Sequence, residues 1–98
     1  MDTTKEKIIN AVKENNIFKS KLFNHVWLVG SFAKDKATEK SDIDFLIDYN
    51  VSEIENNTLT SRARALDFIE NTFNRPAQFI PSDVFEKLGE TNYGIRIK

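Results

Sequence analysis

The sequence predicts an α/β (α+β) fold, one domain in which helices alternate with the three to four strands of a sheet. Segments with apolar residues at helical spacing alternate along the chain with short runs rich in β-branched and aromatic residues. Hydrophobic residues make up 40% of the chain and charged ones 30%, the balance of a globular domain and not of a disordered one. No internal repeat, linker or low-complexity stretch interrupts the pattern, so residues 1–98 read as a single domain. A chain of 98 residues buries only about 60 to 65% of the surface its unfolded form exposes, which demands a thin core.

Thr3 followed by Glu6 has the form of a capping box, and Ile8, Ile9 and Val12 then recur at helical spacing until Asn15-Asn16 ends the run. A short apolar segment carries Phe18, Leu22 and Phe23. The stretch His25-Val26-Trp27-Leu28-Val29 is a continuous apolar run ending at Gly30, which predicts a buried first strand. Ser31 to Lys36 reads as a short helix, Ala37 to Ser41 as a polar connection, and Asp42 to Tyr49 as the second strand.

From about Thr58 to Phe73 the apolar positions Leu59, Ala63, Leu66, Ile69 and Phe73 mark one face of an amphipathic helix. Asn74-Arg75-Pro76 breaks it, and Ala77-Gln78-Phe79-Ile80 predicts a third strand. Pro81-Ser82 opens a last helix that Gly89 closes, and the tail Tyr93 to Lys98 alternates weakly, as a fourth strand or a frayed end.

Composition narrows the function classes. No apolar run approaches the roughly 20 residues that span a bilayer, and Met1 to Glu6 lack the layout of a secretory signal, so a cytoplasmic location is expected. Without cysteine, any metal must be held by oxygen or by the single histidine, which favours hard cations. A formal net charge of −1 argues against a surface that grips nucleic acid through its phosphates, and in favour of small ligands or a protein partner.

Alternation along the second strand puts Asp42 and Asp44 on one face, with Cα atoms about 6.5 to 7 Å apart. Paired carboxylates are costly unless a cation neutralises them, and magnesium prefers such oxygens. Taken alone, the triplet also fits a loop-capping Asp42 and a solvent-facing Asp44. Gly30-Ser31 lies where the first strand turns into a helix, a place where free backbone N–H groups and the serine hydroxyl can cradle phosphate. Alone it also fits an ordinary turn with serine as N-cap.

Together the two features form a stronger signal: Gly-Ser after an apolar strand, ten intervening residues, then Asp-Ile-Asp opening the next. Gly30-Ser31-Phe32-Ala33-Lys34-Asp35 through Ser41-Asp42-Ile43-Asp44 resembles the signature of the DNA polymerase beta-like nucleotidyltransferase superfamily, and within it the minimal nucleotidyltransferases. The resemblance implies a mixed β-sheet of three to four strands flanked by helices, Mg²⁺ held by Asp42 and Asp44, which would be the catalytic pair, and ATP or another nucleoside triphosphate contacting Gly30, Ser31 and Lys34. It further implies transfer of AMP to a hydroxyl of a protein partner, as in antitoxins whose partner is a small helical HEPN-type protein.

Two departures from the family pattern stand out. Gln78 falls where relatives usually supply a third carboxylate, and an amide oxygen brings no charge to hold a second magnesium. This leaves open an alternative: a weakened site on a protein that neutralises its partner by contact alone. A shifted alignment would bring Asp83 to that place instead. Secondly, Asp35 follows Lys34 where relatives commonly carry glycine, and aspartate is able to adopt the left-handed conformation needed there. Lys36 and Lys40 flank the same loop, Asp48 lies about 13 Å beyond Asp44 on its strand face, and His25, Arg62, Arg64 and Arg75 read as surface residues.

Overall fold

The computed structural model describes residues 3–50, 52, 58–82 and 94–98. Its elements run α1 (Lys5–Glu14), β1 (Phe23–Val29), α2 (Gly30–Ala33), β2 (Ile43–Tyr49), α3 (Thr58–Phe73), β3 (Ala77–Pro81) and β4 (Ile95–Arg96). The four strands form one mixed sheet in the order β3-β2-β1-β4. β1 runs antiparallel to both β2 and β4, whereas β2 and β3, joined through α3, are parallel. The predicted fold class holds, and β4 resolves the tail as a strand. Pro81, predicted to open the last helix, instead ends β3, and the rest of that predicted helix from residue 83 to Gly89, Asp83 included, lies outside the described residues.

Strand alternation gives the sheet two unlike faces. Val26 and Leu28 of β1, Ile43, Phe45 and Ile47 of β2 and Phe79 of β3 are buried with Ile8 and Val12 of α1 and Ala65 and Ile69 of α3. Phenylalanine fills the space between them. The Phe18 ring lies 5.3 Å from Phe23, 6.1 Å from Phe45 and 5.9 Å from Phe79, and Phe45 meets Phe79 nearly edge-on at 84°. Such tilted and edge-on pairs match ring edges to faces, adding to the gain from area burial. Among the described residues this core holds no buried polar or charged side chain.

Three further local readings are corrected by the structure. The N-cap of α1 is Thr4, whose Oγ1 accepts from the Lys7 amide at 3.2 Å, one residue later than the Thr3-Glu6 pattern suggests. In α3 the buried alanine is Ala65, while Ala63 is exposed. A single methyl carries too little apolar surface to mark a helix face, so the larger Leu66, Ile69 and Phe73 set the rotation and Ala65 follows them inward. Thirdly, β2 begins at Ile43 rather than Asp42, because the first sheet bond runs from the Ile43 amide to the Pro76 carbonyl at 2.9 Å.

Candidate active site

The sheet topology assembles the site. β1 leaves the sheet where the antiparallel β2 enters it, and Val29 is the cross-strand partner of Asp44. β3 enters at the same end because it is parallel to β2, and Gln78 is the partner of Asp44 on that side. The Gly30-Ser31 turn, Asp44 and Gln78 are therefore neighbours, although the chain separates them widely.

The closest approach is between Gly30 and Asp44. Gly30 has φ +74°, and a Cβ placed on it would lie 2.7 Å from Asp44 Oδ2. Only glycine adopts this backbone at little cost and also leaves room for the carboxylate. Val29 occupies the N-cap of α2 without a side-chain cap bond, so Ser31 sits inside the turn and is not its cap. Lys34 closes α2 as its C-cap, with its amide on the Gly30 carbonyl at 3.2 Å and an exposed side chain. Asp35 follows with φ 58°, the left-handed conformation predicted for it, and its carboxylate meets Lys5 Nζ at 2.8 Å, tying this loop to the start of α1.

Asp42 is exposed just ahead of β2, and Asp44 is half-buried within it. Burial pushes the Asp44 carboxyl above the ordinary aspartate range, and the negative charge of Asp42 adds to the rise. A partly desolvated carboxylate beside a second one, both supplying oxygen alone, fits a hard divalent cation, which would relieve both effects. Among the described residues no three histidine, aspartate or glutamate side chains gather as a metal group. The oxygen-bearing side chains at this end of the sheet include two carboxylates, with Gln78 the register partner of Asp44.

Two arginines read as surface charges do structural work. Arg62 stacks over the Phe79 ring at 5.8 Å. Arg75, in the turn between α3 and β3, lies 4.9 Å over the Phe32 ring, and its NH1 donates to the carbonyls of Ser41 at 2.9 Å and Thr38 at 3.2 Å. Sequence reasoning missed these contacts because their targets are two rings and two backbone carbonyls far along the chain, and carbonyls leave no mark in composition. Arg64 is exposed, as read from the sequence. His25 and Asp48, at the other end of the same strands, bind each other at 2.8 Å between Nδ1 and Oδ2, away from the Asp44 end.

A parallel strand pair joined by a helix, an antiparallel strand before it, and a glycine turn packed on an aspartate fit a nucleotidyltransferase-type sheet domain. The family model of the nucleotidyltransferase domain matches residues 5–97, and the chain belongs to that family. The match spans nearly all of the 98 residues, which fits a minimal nucleotidyltransferase domain. No curated protein matches it. Among the described residues no helix is long and apolar enough to cross a membrane.

Proposed function

We propose that this nucleotidyltransferase domain transfers AMP from ATP to a hydroxyl of a protein partner, a small helical HEPN-type protein, in the manner of an antitoxin. The observation that carries the site assignment is the contact between Gly30 and the Asp44 carboxylate: a turn able to take phosphate stands directly against the side chain able to take its metal. In the transfer, the acceptor hydroxyl oxygen bonds to the α-phosphorus as the bond to the departing pyrophosphate breaks.

In this reading Asp42 and Asp44 hold magnesium, and the Gly30-Ser31 turn with Lys34 orients the triphosphate. Magnesium bound there would help ionise the hydroxyl and neutralise the pyrophosphate, so no histidine base is required. Asp44 presents a carboxylate already pressed toward neutralisation by its surroundings, which strengthens its demand for a cation.

A second reading rests on the Asp44–Gln78 register. Where a third carboxylate would complete the pair, this chain offers a neutral amide, and a domain so altered would neutralise its partner by contact with little turnover. Incubation of the protein with labelled ATP, magnesium and the product of the neighbouring gene distinguishes the two. Label on that protein which Asp44→Ala abolishes supports transfer. Label appearing only with Gln78→Asp supports the contact reading, and no label with either protein counts against transfer to this partner.

A further inference from the structure

We infer that Arg75 is a positioning residue that fixes Asp42 relative to the Gly30-Ser31 turn, an inference that rests on the nucleotidyl-transfer reading. Asp42 lies just outside the sheet: the ladder holds the peptide that follows it, through the Ile43 amide on the Pro76 carbonyl at 2.9 Å, but does not reach the peptide that precedes it. The loop behind it is closed locally, with the Thr38 amide on Ser41 Oγ at 2.8 Å and the Ser41 amide on the Thr38 carbonyl at 3.1 Å. These bonds shape the loop but do not attach it to the rest of the protein.

Arg75 supplies that attachment. Its NH1 bond to the Ser41 carbonyl, at 2.9 Å, acts on the peptide plane that also contains the Asp42 amide nitrogen, because the carbonyl and the following N–H are coplanar. The bond therefore sets the plane from which the Asp42 Cα departs. The same guanidinium lies on Phe32, which is buried and follows Ser31 directly in α2. One rigid, planar cation thus spans both halves of the site, the turn through an aromatic ring and the carboxylate loop through two carbonyls.

Lysine cannot reproduce this arrangement. Its ammonium lacks the flat face that stacks on Phe32 while one end nitrogen donates to the Ser41 and Thr38 carbonyls. Arg75 Nε is buried without a hydrogen-bond partner, a cost that persists only where the rest of the guanidinium is well used. The Asn74 backbone at φ 52° ends α3 and turns Arg75 toward the loop.

The test uses Mn²⁺ as the probe ion, followed by electron paramagnetic resonance with a non-hydrolysable ATP analogue present, on wild type, Arg75→Lys and Arg75→Ala. The expected result is a rise of about tenfold in the Mn²⁺ concentration for half-occupancy in both variants, the scale typical of lost support behind a metal ligand. Far-UV circular dichroism stays that of a folded protein for Arg75→Lys, and millimolar ethylguanidinium recovers most of the loss in Arg75→Ala. Unchanged Mn²⁺ uptake in both variants overturns the proposal while leaving nucleotidyl transfer standing. A loss that ethylguanidinium does not relieve overturns it as well, marking Arg75 as mere scaffold. Absence of uptake by the wild type overturns the nucleotidyl-transfer reading and the proposal with it.

Discussion

Replacing Gly30 by alanine separates the strain in the turn from the chemistry beside it. The backbone at φ +74° costs a side-chain-bearing residue about 1–2 kcal/mol, since Cβ crowds the following carbonyl. The new methyl also meets Asp44 Oδ2 at 2.7 Å, so the carboxylate must move away by several tenths of an ångström. Strain alone, in a domain of this size, lowers the melting temperature by about 5–15 °C. Thermal unfolding without ligand reads that loss. Repeating it with magnesium and ATP at about ten times the dissociation constant should raise the wild-type stability by about 1.4 kcal/mol, and should raise that of Gly30→Ala far less. Ile47→Val, a core change expected to cost about 0.5–1.5 kcal/mol, should lower the melting temperature but keep the full ligand shift. A Gly30→Ala protein that melts like the wild type, or responds to magnesium and ATP as fully, refutes the reasoning.

Other perturbations test separate parts of the site. Asp44→Asn should raise the metal-free melting temperature at pH 7 and abolish the magnesium-dependent shift, because the ionised carboxylate is disfavoured where it lies. The sign in pH follows from the same shift: the folded state binds this proton more tightly than the unfolded one, so the Asp44 contribution destabilises above the folded pKa. That destabilisation is relieved as pH falls from the folded toward the unfolded value, and the difference between wild type and Asp44→Asn in melting temperature should shrink over that window. Asp35→Asn should break the ion pair with Lys5 and leave the melting temperature at 0.5 M salt unchanged within error, as the pair is exposed and screened.

Much of the fold was legible because strong local signals agreed with the tertiary result. The apolar run through Val26 and Leu28 and the Ile43-to-Ile47 alternation became neighbouring strands, and the Gly-Ser and Asp-Ile-Asp motifs met as their spacing suggested. The left-handed Asp35 was legible from the chemistry of its side chain. What escaped depended on partners distant in sequence. The choice between Ala63 and Ala65 was made by larger neighbours on α3, and the start of β2 by the Pro76 carbonyl just ahead of β3. Arg75 was the largest miss, since nothing adjacent to it reveals that Phe32 and Ser41 lie within its reach.

The two outer strands of the sheet bear on solubility. β3 is flanked by Pro76 and ends at Pro81, residues that donate no backbone hydrogen, and β4 spans only Ile95–Arg96. Each margin thus offers an incoming strand a short or interrupted ladder, a poor template for growth into fibres. Among the described residues, the backbone at these two margins is in this way a poor site for recruiting further chains.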